Sequence, residues 1–253
     1  QPIKDLVFRS QVNYRMSAST YRDYSMVYKT SNYAFSDTDT VSQSASAGWN
    51  WSWENTLNYK FNIAQKNHFD VLAGSTLEHS GFGESVNASR SGGAWPDDYE
   101  HAYVGNMISP TVDPASIGGS TWGDSGLASF FGRINYDYDE KYMLSAIIRA
   151  DGSSNFARGH RWGIFPSVAA GWVMSSEPWM EGAKGTLDYL KLRASWGQNG
   201  NCAVDNFQYL ATVAIGPDNG GYAFGHGALE NWQTGSYADK LANADISWET
   251  SEQ

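Results

Sequence analysis

The chain has 253 residues, of which 15% are aromatic (11 Trp, 15 Tyr, 11 Phe) and 17% are charged. A net charge of −10 without any Lys/Arg cluster excludes nucleic acid as a partner, because phosphate recognition needs a basic face. The single cysteine, Cys202, excludes an internal disulfide and a multi-thiolate zinc site.

No run approaches about 18 consecutive apolar residues, so no membrane-spanning helix is expected. A β-barrel wall stays open to the chain, because its strands alternate apolar and polar residues and average out as polar. The opening Gln1-Pro2-Ile3-Lys4 has no Met, basic start or apolar leader core, and Trp248–Gln253 reads as the beginning of a strand. The chain is therefore expected to be a piece of a longer polypeptide.

Taken in order, the predicted elements are strands with a period of two. The first, Leu6–Met16, sets Leu6, Phe8, Val12, Tyr14 and Met16 against Arg9, Gln11, Asn13 and Arg15. A long polar stretch, 17–48, follows. Trp49–Phe61 comes next, with Trp49, Trp51, Trp53, Leu57, Tyr59 and Phe61 on one face and Asn50, Ser52, Glu54, Thr56, Asn58 and Lys60 on the other. Its 12 steps extend about 40 Å, and a tilt near 40° projects this to roughly 30 Å, the span of a bilayer core with its flanks. Aromatics at both ends suit two interfacial girdles, while Asn55 interrupts the middle of the apolar stripe.

After a short turn, Phe69–Glu78 is a further strand and 79–126 a long loop. Ala128–Tyr138 and Tyr142–Ala150 alternate cleanly across the short turn Asp139–Lys141. Gly163–Ser175 is less regular, and Pro166 is expected near a strand start, an edge or a bulge. Glu177–Lys184 is expected as a helical turn. Leu190–Trp196 alternates again, and 197–246 holds at most one irregular hairpin, near Phe207–Ile215. Long loops at 17–48, 79–126 and 197–246 alternate with short turns, the asymmetry of an outer-membrane barrel.

Four blocks in series carry a resemblance. They are Phe131-Gly132-Arg133-Ile134-Asn135-Tyr136 with Asp139-Glu140-Lys141-Tyr142; Arg149-Ala150-Asp151-Gly152-Ser153-Ser154-Asn155-Phe156; Arg161-Trp162-Gly163-Ile164-Phe165-Pro166-Ser167 with Gly171-Trp172; and Leu190-Lys191-Leu192-Arg193-Ala194-Ser195-Trp196-Gly197-Gln198-Asn199-Gly200-Asn201. A weaker fifth is Ile246-Ser247-Trp248-Glu249-Thr250. These blocks resemble the barrel of SusC-type (SusC/RagA) TonB-dependent outer-membrane transporters.

The resemblance implies an all-β fold: an antiparallel transmembrane barrel segment of about seven or eight strands, cut from a plugged barrel of about 22. It also implies the outer membrane of a Gram-negative, Bacteroidota-type cell, and import of oligosaccharides or peptides with energy from the TonB complex through a plug not visible in this chain. A SusD-type surface lipoprotein would serve as the lid. No enzymatic activity follows from it.

Arg133, Asn135, Arg149, Asp151, Lys191 and Arg193 fall on the polar side of their strands, where charges in a hydrated interior brace the wall. Asp151–Asn155 reads as a structural turn. Loop aromatics are the candidates for substrate or lid contact: Trp95, Tyr99, Tyr103 and Trp122 in one loop, Tyr222, Phe224, Trp232 and Tyr237 in another. The alternative use of these rings is to pack the loops on themselves.

Acidic runs at Asp37-Thr38-Asp39 and Asp97-Asp98-Tyr99-Glu100-His101 could offer oxygen ligands but lack the spacing of a Ca²⁺ loop, so no Ca²⁺ site is predicted there and no cofactor is expected. The five histidines show no paired ligand spacing, and no G-x-S-x-G motif is present. A second reading of the same stripes is the core of a soluble all-β glycan-binding module or glycosidase.

Overall fold

A computed structural model describes residues 4–95, 97–109, 116–121, 123–215, 221–223 and 232–253. The strands are β1 Leu6–Ser25, β2 Tyr28–Lys29, β3 Phe35–Ser36, β4 Thr40–Ile63, β5 Asn67–Ser91, β6 Ile117–Thr121, β7 Ser125–Tyr138, β8 Tyr142–Ser153, β9 Trp162–Val173, β10 Lys191–Asn201, β11 Thr212–Ile215, β12 Gly221–Ala223, β13 Trp232–Thr234, β14 Ser236–Lys240 and β15 Glu249–Glu252. Eight of them follow one path, β1-β4-β5-β7-β8-β9-β10-β15, and β6 pairs with β5 as a ninth strand. Neighbours along this path are almost all consecutive long strands, so the sheet is an up-and-down meander.

The chain forms two compact units. One comprises Gln1–Val12, Trp53–Glu78 and Ser125–Gln253, the other Asn13–Ser52 and His79–Asp124, so that β1, β4 and β5 contribute residues to both.

In the first unit the period of two is preserved across strands. The β7–β8 ladder runs without a shift from Leu127↔Ser153 to Tyr138↔Tyr142, and β8–β9 from Tyr142↔Trp172 to Gly152↔Trp162. Even-numbered residues of β7, β8 and β9 therefore share one face, and odd-numbered residues the other. The even face is aliphatic and aromatic, and it is open: Ile148 is 57% and Ile164 63% exposed, with Phe130, Ile134, Leu144, Val168 and Leu192 exposed beside them.

A soluble sandwich would bury this stripe. Here the buried apolar residues among those described are Val41, Ala102, Met107, Phe156, Phe165 and Val173, too few to be the core of a water-soluble domain of this size. On β4, Trp53, Leu57 and Tyr59 stay exposed together, so the stripe keeps its phase through Asn55, which is half-buried.

Three expectations change. The loop expected at 17–48 is mostly strand and the one at 79–126 is shortened by strand at both ends: β1 runs on to Ser25, β4 begins at Thr40, β5 reaches Ser91, and β6 lies at Ile117–Thr121. The extensions are polar and rich in Ser and Ala, so the apolar period fades while the backbone ladder continues. Thr20, Ser44 and Ser46 carry no apolar signal, although Ser19 and Ser46 are joined side chain to side chain across β1 and β4.

Within 197–246, strand β10 continues to Asn201, and the expected strand Phe207–Ile215 shrinks to β11, because Phe207 takes a left-handed φ of 62° and its carbonyl closes a turn onto the Leu210 amide at 2.9 Å. Pro166 lies inside β9, yet the β9–β10 ladder ends at Ser167↔Gly197, so Pro166 takes part only in the β8 ladder and its missing N–H leaves no gap toward β10. The expected helical turn is a 3-10 helix, Pro178–Ala183.

Candidate functional site

The polar face of the first unit is built from charges that the strand period turns to one side. Asp70 of β5 accepts a hydrogen bond from Asn58 Nδ2 at 2.6 Å and lies 3.6 Å from Lys60 Nζ and 3.8 Å from Arg133 Nη2, which ties β4, β5 and β7 together. Ser145 Oγ donates to Asn135 Oδ1 at 2.7 Å.

Arg149 Nε contacts both carboxylate oxygens of Asp151, at 2.7 and 2.8 Å, while its Nη2 donates to Ser129 Oγ at 2.9 Å. Asp151 and Ser129 are buried, and the Arg149 guanidinium lies 5.6 Å from the centre of the Phe131 ring. Lys191 Nζ donates to Met143 Sδ at 2.7 Å. Arg193 is exposed, and among the described residues neither Lys191 nor Arg193 forms an ion pair.

The Asp151–Asn155 segment is a structural knot at the end of β8. Ser154 exchanges two hydrogen bonds with Gly126, and Asn155 Nδ2 donates to the carbonyls of Cys202 and Val204. Beside it Trp248 donates from Nε1 to the Arg161 carbonyl at 2.7 Å and packs on Phe156 and Phe165, with ring centres 5.5 and 5.3 Å away. Gly163 makes the room: a Cβ there would stand 2.9 Å from the Trp248 ring.

At the opposite ends of these strands lie the short β7–β8 turn and the longer β9–β10 connection with its two 3-10 helices. Tyr142 donates from its hydroxyl to Glu177 Oε1 at 2.7 Å and Trp172 Nε1 donates to the same oxygen at 3.1 Å. These two donors, Tyr142 first, hold the Glu177 carboxyl below the ordinary carboxylate range. Tyr142 stacks on Trp172, and Trp172 meets the exposed Trp179 edge-on, forming an aromatic cluster of the kind that borders a bilayer.

In the second unit the loop aromatics have definite partners. The Arg22 guanidinium sits 4.2 Å from the Tyr99 ring centre and 4.1 Å from that of Tyr103, and it donates to the Ala102 carbonyl. Asp39 is 3% exposed; its carboxylate accepts from the Tyr24 hydroxyl at 2.8 Å and from the Gly93 amide at 2.6 Å, beside Val41, Ala102 and Met107.

Residues 92–95 and 97–109 are thereby fastened onto β1 and β4. Tyr99 and Tyr103 serve that packing; Trp95 is 52% exposed and leans on His101. A cleft of about 710 Å³ opens beside Tyr103, lined also by Arg22, Gln43, Val86, Asn87 and Ile117. Asp98 accepts hydrogen bonds from Glu100 N and His101 N and shares a 2.6 Å hydrogen bond with His101 Nδ1; His101 foremost holds the Asp98 carboxyl below its usual range.

Tyr237 is half-exposed on β14, where it pairs with Ala214. Tyr222 and Trp232 lie on the β12–β13 ladder, opposite Gln233 and Ala223. Trp122 and Phe224 lie outside the described residues. Sequence reasoning missed Asp70 and Arg22, and it read Asp39 only as part of an acidic run and Glu177 only as the start of a helical turn; each takes its role from partners on other strands or loops, which no local spacing encodes. Among the described residues no group of three His, Cys, Asp or Glu side chains could hold a metal ion.

A meander of long strands that is aliphatic and aromatic on one face and braced by ion pairs on the other, with short turns at 64–66 and 139–141, is the wall of a transmembrane β-barrel of the outer-membrane type. No family model matches the chain. It is similar to the TonB-dependent receptor P26 of Formosa agariphila, 32% identical over 199 residues that cover 78% of this chain and 18% of that protein. It is likewise similar to the TonB-dependent receptor SusC of Bacteroides thetaiotaomicron, 28% identical over 203 residues that cover 76% of this chain and 18% of SusC.

A solved structure of the RagAB peptide transporter superposes with a TM-score of 0.79 at 23% identity, over 98% of this chain and 25% of that one. The chain thus spans about a fifth of the length of the curated relatives it matches. In sequence and fold it matches the SusC-type TonB-dependent receptors, over part of their outer-membrane β-barrel.

Proposed function

We propose that this chain is a wall segment of an active importer, which takes up oligosaccharides or peptides across the outer membrane with energy from the TonB system, under a SusD-type lipoprotein lid. The observation that carries the reading is the two-faced sheet: an exposed aliphatic stripe through Ile134, Leu144, Ile148 and Ile164, backed by the Asp70–Arg133 and Arg149–Asp151 pairs. Lipid accounts for the first face and a hydrated lumen for the second.

Uptake as the outcome is supported by the names of the relatives, all of them TonB-dependent receptors, and by the fold shared with a peptide transporter. The exposed ring of Trp95, the rim of the cleft beside Tyr103 and the exposed Tyr237 are the positions assigned to substrate or lid contact. Arg133, Asn135, Arg149 and Asp151 are assigned to bracing the wall.

The test is stepwise extraction of the native source, first with aqueous buffer and then with detergent, followed by mass measurement of the polypeptide that yields peptides from 131–201. Recovery in detergent on a chain several times longer than this one, co-purifying with a lipoprotein, is the expected result. A water-soluble polypeptide of 27.9 kDa would overturn the reading.

A further inference from the structure

Along β4, β7, β8 and β10 of the first unit, cations on the polar face fall into two groups. Arg133 and Lys60 share Asp70, and Arg149 holds Asp151. Lys191 and Arg193, two residues apart on β10, have no such carboxylate: among the described residues the recorded partner of Lys191 is the thioether of Met143, a weak acceptor, and Arg193 has none. In a chain with 27 acidic and 17 basic residues, two cations without a carboxylate side by side on one strand face are unexpected from composition.

The wall beside them is hollow. The ladders set Ser145 opposite Ala169 and Ala169 opposite Ser195, with Met143, Gly171 and Arg193 forming the next row. These small residues leave a depression of about 510 Å³ that Lys191 and Arg193 border, and Asn135 and Asp137 close it on the β7 side. Gly171 is required for the shape, because Lys191 lies across it with Cε 3.1 Å from where a Cβ would stand. Asp137 is turned to the Glu140 amide, which its Oδ1 accepts at 2.9 Å. A second depression of about 270 Å³ continues the first and shares Ser145, Ala169 and Ser195 with it.

We infer that this hollow is a carboxylate-binding site, in which Lys191 and Arg193 hold the anion over the Ser145–Ala169–Ser195 floor. The inference rests on the barrel reading, which makes this face the lumen. A guanidinium and an ammonium side by side bind a planar carboxylate through charge-assisted hydrogen bonds, and the serine hydroxyls and the Asn135 amide offer neutral polar contacts to the rest of the ligand. The carboxylate has two possible sources: the imported substrate, as a uronate sugar or an acidic peptide, or a side chain from the remainder of the receptor polypeptide.

The experiment uses the full-length receptor purified in detergent, with a heat-dependent shift in gel mobility as the readout of a folded barrel. Binding of tri-galacturonate and tetra-aspartate is compared with that of the neutral maltotriose and tetra-asparagine, in the wild type, in Lys191→Met with Arg193→Gln, and in Arg193→Lys, which keeps the charge. In parallel, a carbodiimide couples amines to carboxylates already in contact, and mass spectrometry locates the products.

If the substrate supplies the anion, an acidic probe binds the wild type better than its neutral counterpart, the doubly uncharged variant loses about tenfold or more, and Arg193→Lys retains most of it. If the receptor supplies it, neither acidic probe is preferred, and Lys191 is recovered coupled to a carboxylate from another part of the polypeptide, a product absent from Lys191→Met. A folded barrel that shows neither preference nor coupling overturns the carboxylate site and leaves the barrel reading standing. A receptor that is water-soluble and shows no heat-dependent shift overturns the barrel reading, and the site with it.

Discussion

Lys66 Nζ lies 3.0 Å from Asp139 Oδ2, and the Asp139 amide donates to the Lys66 carbonyl at 2.9 Å, so two neighbouring hairpin tips are clasped by side chain and backbone together. Both tips turn through two left-handed residues, Ala64 and Gln65 in one and Asp139 and Glu140 in the other. Each turn has three residues, 64–66 and 139–141, and its two left-handed positions are of the kind that Gly, Asn and Asp adopt most readily. The charge contact raises the Lys66 pKa, mainly through the hydrogen bond to Asp139. A raised cation pKa contributes stability that is complete below the ordinary lysine value and is lost as pH rises through the folded one, so the clasp is intact at neutral pH.

From this geometry Asp139→Asn is expected to fold as the wild type does, since Asn also tolerates a positive φ. Asp139→Val is expected to destabilise the barrel by about 1–2 kcal/mol, because a β-branched residue is strained there. Urea unfolding of the detergent-solubilised receptor, followed by tryptophan fluorescence, checks the difference; equal midpoints for Asn and Val would contradict it.

The two faces of the β7–β8 hairpin predict opposite tolerance. Ile148→Arg puts a charge on the exposed aliphatic stripe and is expected to cost about 2–4 kcal/mol near mid-bilayer, lowering the amount of folded barrel in the membrane. Asn135→Lys, on the polar face, is expected to leave insertion intact. Quantifying the heat-modifiable band of each variant in outer-membrane fractions compares them, and equal loss from both would argue against lipid on the Ile148 side.

Asp151 is buried against Arg149, and Arg149 also donates to Ser129. Asp151→Ala is expected to destabilise by about 1–3 kcal/mol, since it leaves a guanidinium facing a pocket shaped for its partner. Asp151→Asn, which keeps an acceptor, is expected to lose less. Unfolding midpoints of the two variants decide the order.

Gly163→Ala places a methyl group against the Phe165 and Trp248 rings and is expected to cost about 1–3 kcal/mol through overpacking. Pairing it with Trp248→Leu, which vacates part of that space, is expected to recover some of the loss. A double-mutant cycle measures the coupling, and strict additivity would show that the glycine has another role.

Glu177 gives a pH dependence of definite sign. Its carboxyl pKa is depressed by the hydrogen bonds from Tyr142 and Trp172, so its contribution is complete above the ordinary glutamate value and is lost as pH falls through the folded value below it. Glu177→Gln is therefore expected to be less stable than the wild type at neutral pH, with the difference closing under acid. A gap that stays constant down to pH about 3 would contradict the assignment.

The first unit was largely legible in the sequence, because Ala128–Tyr138 and Tyr142–Ala150 repeat with a period of two over a short turn, and the structure pairs them residue for residue. Arg149 and Asp151 were readable as polar-side residues by the same count. The upper lengths of β1, β4 and β5 were not readable: Ser, Thr and Ala carry little apolar contrast, and their strand state is imposed by ladder partners far along the chain. Nor could the sequence say that Tyr99 and Tyr103 close around Arg22, since that contact joins a loop to a strand nearly eighty residues earlier.

The unbroken β7–β8 ladder bears on the order of assembly. Its strands meet across the three residues of one short turn, Asp139–Lys141, so little chain entropy opposes its closure, and hairpins of this kind form within about 1–10 μs. Joining β15 to β10 instead closes the connection from Cys202 to Trp248, a slow, non-local event. The middle hairpin therefore acts as the template on which β9 and β10 are laid, and the tryptophan knot at the rim sets last, as the latch of this part of the wall.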